Sequence, residues 1–144
     1  MQIPILQDAY DRQVALCNEL ERIADSLPDR VDPQACRSVA KTLPETMEAV
    51  QAAEEKLLFP QVLAKSRHGH QDLIEKLRLQ QVADLCSAEE VQQELLLLAG
   101  GQPSLAPEAL GYLLRGFFDG VRRHVLHSKE LLDVLDDASR PPAA

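Results

Sequence analysis

The chain has no tryptophan and only five aromatic residues, two Tyr and three Phe, among its 144 positions. Its core must therefore be filled by Leu, Val, Ile and Ala, the usual filling of a helical bundle. Cysteine is scarce as well. Cys17, Cys36 and Cys86 are an odd set with no C-x-x-C spacing, which excludes a disulfide framework or a zinc site and leaves reduced thiols. Cys17 and Cys86 are expected in the core and Cys36, which opens the second helix, partly exposed. Positive charge is in deficit, with a net charge of −8, so nucleic acid and anionic membrane surfaces are poor partners. The N-terminal MQIPILQDAYDRQ has no basic n-region and no long apolar stretch, so neither a signal peptide nor a membrane span is expected, and the protein is placed in the cytoplasm. No Ser/His/Asp or Cys/His arrangement, Gly-rich phosphate loop or dinucleotide fingerprint is present, and the chain reads as a non-enzyme.

What is present is helical periodicity. Leu6, Ala9, Gln13, Leu16, Leu20, Ile23 and Leu27 recur at three- and four-residue steps, one amphipathic stripe that predicts a first helix ending at Leu27-Pro28-Asp29. Asp32-Pro33 supplies an N-cap and first-turn proline for a second helix. Pro44 inside that segment predicts a kink or break near Thr42–Leu43. The longer piece buries Leu43, Met47, Val50, Glu54, Leu57, Leu58 and Val62, and residues 66–70 make the turn, with His68 and His70 as surface residues around Gly69. A third helix carries Ile74, Leu77, Gln81, Asp84, Ala88, Val91, Leu95 and Leu98, and Gly100-Gly101 caps it. A fourth starts near Pro107 and buries Leu110, Leu114, Phe117, Val121, His124, Leu131 and Leu135, with His127 towards the outside. The predicted architecture is all-α: one domain over residues 1–138, an antiparallel up-down-up-down four-helix bundle, with a disordered tail at 139–144.

Each stripe is interrupted by polar residues where Leu would be expected: Tyr10 and Gln13, Gln51 and Glu54, Gln81 and Asp84, and His124. Glu54 lies about ten residues from the end of its helix, Gln81 about eleven from the start of the next and His124 about twelve before the end of the last. In an up-down bundle these positions fall at nearly one height, which points to a shared polar layer. Within it Glu54 is expected to pair with His124, and Gln81 and the Tyr10 hydroxyl to add hydrogen bonds.

The residues around these interruptions carry a family likeness. Glu54-Glu55-Lys56-Leu57-Leu58-Phe59-Pro60, Tyr10-Asp11-Arg12-Gln13, Gln80-Gln81 and Arg122-Arg123-His124 resemble the motifs of the hemerythrin-like (HHE cation-binding) family. The resemblance spans nearly the whole chain. It implies a four-helix bundle holding a di-iron centre, with a His and a Glu at i and i+4 of the second helix. Here Tyr10, Val50 and Gln81 stand at positions of lost ligands, and Ser128 and Lys129 where a further ligand would follow. The vestigial metal set is Glu54, His124 and Asp84; a one-residue shift on the second helix would replace the Val50–Glu54 pair by Gln51 and Glu55. A di-iron centre needs several imidazoles and bridging carboxylates, whereas neutral Gln is a poor iron ligand and Tyr binds well only as phenolate.

The resulting expectation is a divergent member that has lost its di-iron site, needs no cofactor and serves as a non-catalytic interaction or regulatory bundle. Iron, in a reduced carboxylate/His site serving oxygen or redox sensing, is the alternative. A histidine phosphotransfer bundle is the second, on the faint His127-Ser128-Lys129 pattern, which Glu130 opposes. Leu79, Leu96, Leu97 and Leu132 are expected on the surface and point to a protein partner or a homodimer through the third and fourth helices. Gly111, Gly116 and Gly120 are expected where a neighbouring helix or subunit approaches closely.

Overall fold

The structure, a computed structural model, describes residues 3–65 and 69–139. Its helices are α1 (Ile3–Ser26), α2 (Pro33–Ala53), a π-turn (Glu54–Leu58) that leads into α3 (Phe59–Lys65), α4 (Gln71–Ala99) and α5 (Pro107–Ser139). The α2–π–α3 run is one rod, so four rods make up the fold, and no strand occurs among the described residues. The expected positions of Ser66, Arg67 and His68 lie outside the described residues. So does the expected tail, apart from Ser139, which ends α5.

Local chemistry accounts for the boundaries. The Asp32 carboxylate accepts from the Gln34 N–H at 2.9 Å, with Pro33 in the first turn behind it, which satisfies an otherwise orphaned donor. At the same end of the bundle α4 closes through Gly101, whose φ of +73° favours glycine. There the Gln102 N–H bonds the Leu97 carbonyl at 2.9 Å and the Gly101 N–H bonds that of Leu98 at 3.1 Å, the six-to-one and five-to-two pattern of a glycine C-cap.

Of the kink or break expected near Thr42–Leu43, the break does not occur; α2 runs through Pro44. Proline removes the N–H that would bond the carbonyl four residues earlier. That carbonyl belongs to Ala40, and the Gln92 side chain of α4 donates to it at 2.7 Å. A neighbouring helix thus supplies the missing donor. The irregularity falls instead at Glu54–Leu58, where the Phe59 N–H reaches back five residues to the Glu54 carbonyl. The wider turn carries Phe59 fully inside, while Leu57, expected in the core, is only half-buried.

α2 packs on α1 and α4, and α5 closes the ring against the same two helices. The early part of α1 shares an apolar cluster with the late part of the second rod, the start of α4 and the late part of α5. The late part of α1 shares the other cluster with early α2, late α4 and early α5. Successive rods therefore run in opposite directions, as an up-down-up-down bundle requires. Across the outer seam of α1 and α5, Arg115 meets Asp25 at 2.6 Å, and Arg122 meets Glu21 at 3.0 Å and Asn18 at 2.9 Å. Such exposed pairs orient helices more than they stabilise them.

Several positions differ from expectation. Cys86 is exposed and Cys36 fully buried: Cys86 falls off the Gln81–Ala88–Val91 stripe, and Cys36 packs into the cluster at the α1–α2 corner. Leu132 is buried in the second cluster, whereas Leu79, Leu96 and Leu97 are exposed as expected. His70 and His127 are half-buried rather than fully exposed. A side chain at Gly111 would touch Leu27 at 3.8 Å and one at Gly120 would touch Asp84 at 3.9 Å, but Gly116 faces open space and has no close neighbour. Among the described residues no helix is long and apolar enough to cross a membrane.

Candidate functional site

The two apolar clusters are separated by a polar layer made of Gln13 on α1, Glu54 in the π-turn, Gln81 on α4, and His124 and Ser128 on α5, all buried. Tyr10, also fully buried, lies at its edge. Their coincidence in height is what an antiparallel bundle produces from the spacings in the sequence.

Glu54 is the hub. Its Oε2 accepts from the Tyr10 hydroxyl at 2.7 Å and from the Ser128 hydroxyl at 2.5 Å. Its Oε1 accepts from Gln81 Nε2 at 2.9 Å and faces His124 Nε2 at 2.7 Å. The other ring nitrogen, His124 Nδ1, faces the Gln80 carboxamide oxygen at 3.2 Å. Both ring nitrogens of His124 therefore have a hydrogen-bond partner within reach. Four helical rods thus converge on one carboxylate.

Electrostatics follows from this arrangement. Burial by itself would raise the Glu54 carboxyl. The hydrogen bond and charge of His124, with the hydrogen bonds from Ser128 and Gln81, outweigh burial and hold it below the usual carboxylate range. Tyr10 is driven the other way: burial, then the negative charge of Glu54, raise its phenol well above the ordinary value, so it stays protonated and donates. Asp84 is half-buried at the rim of the layer and makes no hydrogen bond to a described residue. Burial raises its carboxyl, as does Glu54, against smaller opposing contributions from His124 and Arg123.

Of the residues singled out in the sequence, the fold brings together Glu54, His124, Gln81 and Tyr10. Asp84 stands beside them without bonding them. Val50 is buried one turn before Glu54 and presents only methyl groups. Glu55 turns outward to Arg78, at 2.9 Å, so the inward pair on the second rod is Val50 and Glu54, not Gln51 and Glu55. Ser128 and Gln80 are members that the pattern of interruptions missed. Ser128 follows His124 by four residues on the same face, a spacing that was available. Gln80 sits one residue off its stripe, and nothing local marks it. Lys129 is exposed, away from the layer.

The donor set can be weighed against the di-iron centre that the motif resemblance implies. Among the described residues no three His, Cys, Asp or Glu side chains gather into a metal-holding group. The layer offers one carboxylate and one imidazole, and both carboxylate oxygens already accept two protein donors each. Neutral amides and a protonated phenol complete it. These residues do not fit a di-iron centre.

No curated protein and no solved structure matches the chain. A family model does, that of the hemerythrin HHE cation binding domain, over residues 3–132. With the bundle, the Glu54 motif in the second rod and His124 in the last helix, this match shows that the chain belongs to the hemerythrin HHE cation-binding domain family.

Proposed function

We propose that this chain is a family member that has lost the di-iron site and works as a non-catalytic interaction or regulatory bundle, without a cofactor. One observation carries the reading: every oxygen of the single buried carboxylate is taken by protein donors from Tyr10, Ser128, Gln81 and His124. A metal ion entering there would have to displace those donors and would find, beyond Glu54 and His124, only the Asp84 carboxylate at the rim and no second imidazole. Charge pairing and hydrogen bonding within the protein replace coordination as the means of stabilising Glu54. The interaction part of the reading is supported by α4, whose outward face carries Leu79, Val82, Leu96 and Leu97. Exposed apolar side chains on one helix favour a protein partner or a second copy. The test is elemental mass spectrometry on protein purified without chelator, with an absorbance scan after iron addition under air. The expected result is no stoichiometric iron and no oxo-bridge charge-transfer bands. Near-stoichiometric iron with such bands would sink the proposal and restore iron-based oxygen or redox sensing.

A further inference from the structure

Gln13 is the one member of the polar layer whose needs the protein leaves unmet. The residue is 3% exposed. Nε2 donates weakly to the Met47 sulfur at 3.4 Å, but Oε1 has no hydrogen-bond partner. Reversing the amide gives the oxygen nothing, because it would then face a thioether sulfur that has no proton to donate. A buried acceptor without a donor is costly and calls for an explanation.

Gln13 lines a small cavity between the helices, with Glu54, Gln81, Asp84 and His124 on its walls. The cavity leaves about 10 Å³ open to a water-sized sphere, close to the space that one water needs. Two of its lining residues carry acceptors without a donor among the described residues: Gln13, whose buried Oε1 has no partner, and Asp84, whose carboxylate makes no hydrogen bond. A water molecule has two protons to give.

We propose that this cavity is a binding site for a single structural water, which donates one hydrogen to Gln13 Oε1 and the other to Asp84. It rests on the metal-free reading of the layer, since a coordinated metal would rearrange the same walls. The water ties Gln13 on α1 to Asp84 on α4 beside the Glu54 network and gives Gln13 a reason to be polar. Gln13 acts as a positioning residue for it.

The test pairs a high-resolution crystal structure of the unaltered protein with water–protein NOE and ROE spectra. The expected result is one water within hydrogen-bond distance of both Gln13 Oε1 and an Asp84 oxygen. NOEs of the long-lived type should link water to the Gln13 side-chain amide. In Gln13→Met, checked for folding by circular dichroism, the long-lived water signal should disappear. A collapsed cavity, a Gln13 oxygen bonded to a protein donor, or a signal that depends on ammonium buffer overturns the proposal, as does a water that persists unchanged in Gln13→Met. Those outcomes leave the metal-free reading standing if elemental analysis of the same crystals finds no iron. Iron on Glu54 and His124 would overturn both.

Discussion

Glu54 holds a carboxylate with no exposed surface, and its neighbours rather than water keep it ionised. Its folded-state pKa is depressed, so the unfolded chain binds a proton more readily than the folded one near the usual value of about 4.3. The stability it contributes is present above that value and is lost as pH falls through the folded pKa. Asp84 has the opposite sign. Its raised folded pKa means that stability declines as pH rises from the ordinary aspartate range through the raised value. Thermal melts across the acid range should therefore show a steep loss towards low pH that is absent in Glu54→Gln. Asp84→Asn should be more stable than the parent at neutral pH, and an equal or lower melting temperature would contradict this account. Cys17 illustrates a third environment: burial first, against a smaller lowering by Arg122, pushes its thiol up to about 12, a value at which it is inert. At this scale the sequence was informative wherever a polar residue broke an apolar stripe, as Tyr10, Glu54, Gln81 and His124 do. The stripes did not mark Ser128, a small residue that breaks none of them; only the family likeness and its four-residue step from His124 pointed to it.

The elements are held by arrangements that a single helix cannot reveal. Pro44 reads locally as a break, and only the arrival of Gln92 from α4 at the Ala40 carbonyl makes the unbroken helix possible. Gln92→Ala should cost about 1–3 kcal/mol, the usual result of stranding a buried acceptor. The loss should shrink in a Pro44→Ala background, where the backbone N–H returns. Chemical denaturation of the four proteins in that cycle would measure it, and equal losses in both backgrounds would refute the compensation. Gly116 makes a simpler case. It lies inside α5, exposed, with nothing within 4 Å of where a Cβ would be, so Gly116→Ala should raise stability by ~0.5–1 kcal/mol. A lower melting temperature would reveal a constraint at that position that the fold does not explain. The helix boundaries at Asp32–Pro33 and Gly100–Gly101 were legible because caps are chemistry of a few adjacent residues. The π-turn was not, since no residue type encodes an extra residue per turn; its cause lies in bringing both Glu54 and Phe59 to the interior.

Over the whole molecule the apolar interior is divided into two cells by a charged and hydrogen-bonded floor. Such a floor is a weak source of net stability, because desolvating the charges costs about as much as their attraction returns. Replacing it together, as Tyr10→Phe, Glu54→Leu, Gln81→Leu, His124→Leu and Ser128→Ala, should leave the bundle equally stable or more stable by about 1–4 kcal/mol. Removing His124 alone should be strongly destabilising. Denaturant midpoints would decide between these outcomes, and a fivefold variant less stable than His124→Ala would contradict them. The floor also acts as a vernier. If one helix slid along its neighbours by a single turn, about 5.4 Å, Glu54 would enter a purely hydrocarbon cell and its four donors would be stranded. All-apolar stripes of Leu and Val tolerate such slippage, whereas this pattern penalises every alignment but one, so the polar layer sets where each helix stops against the next.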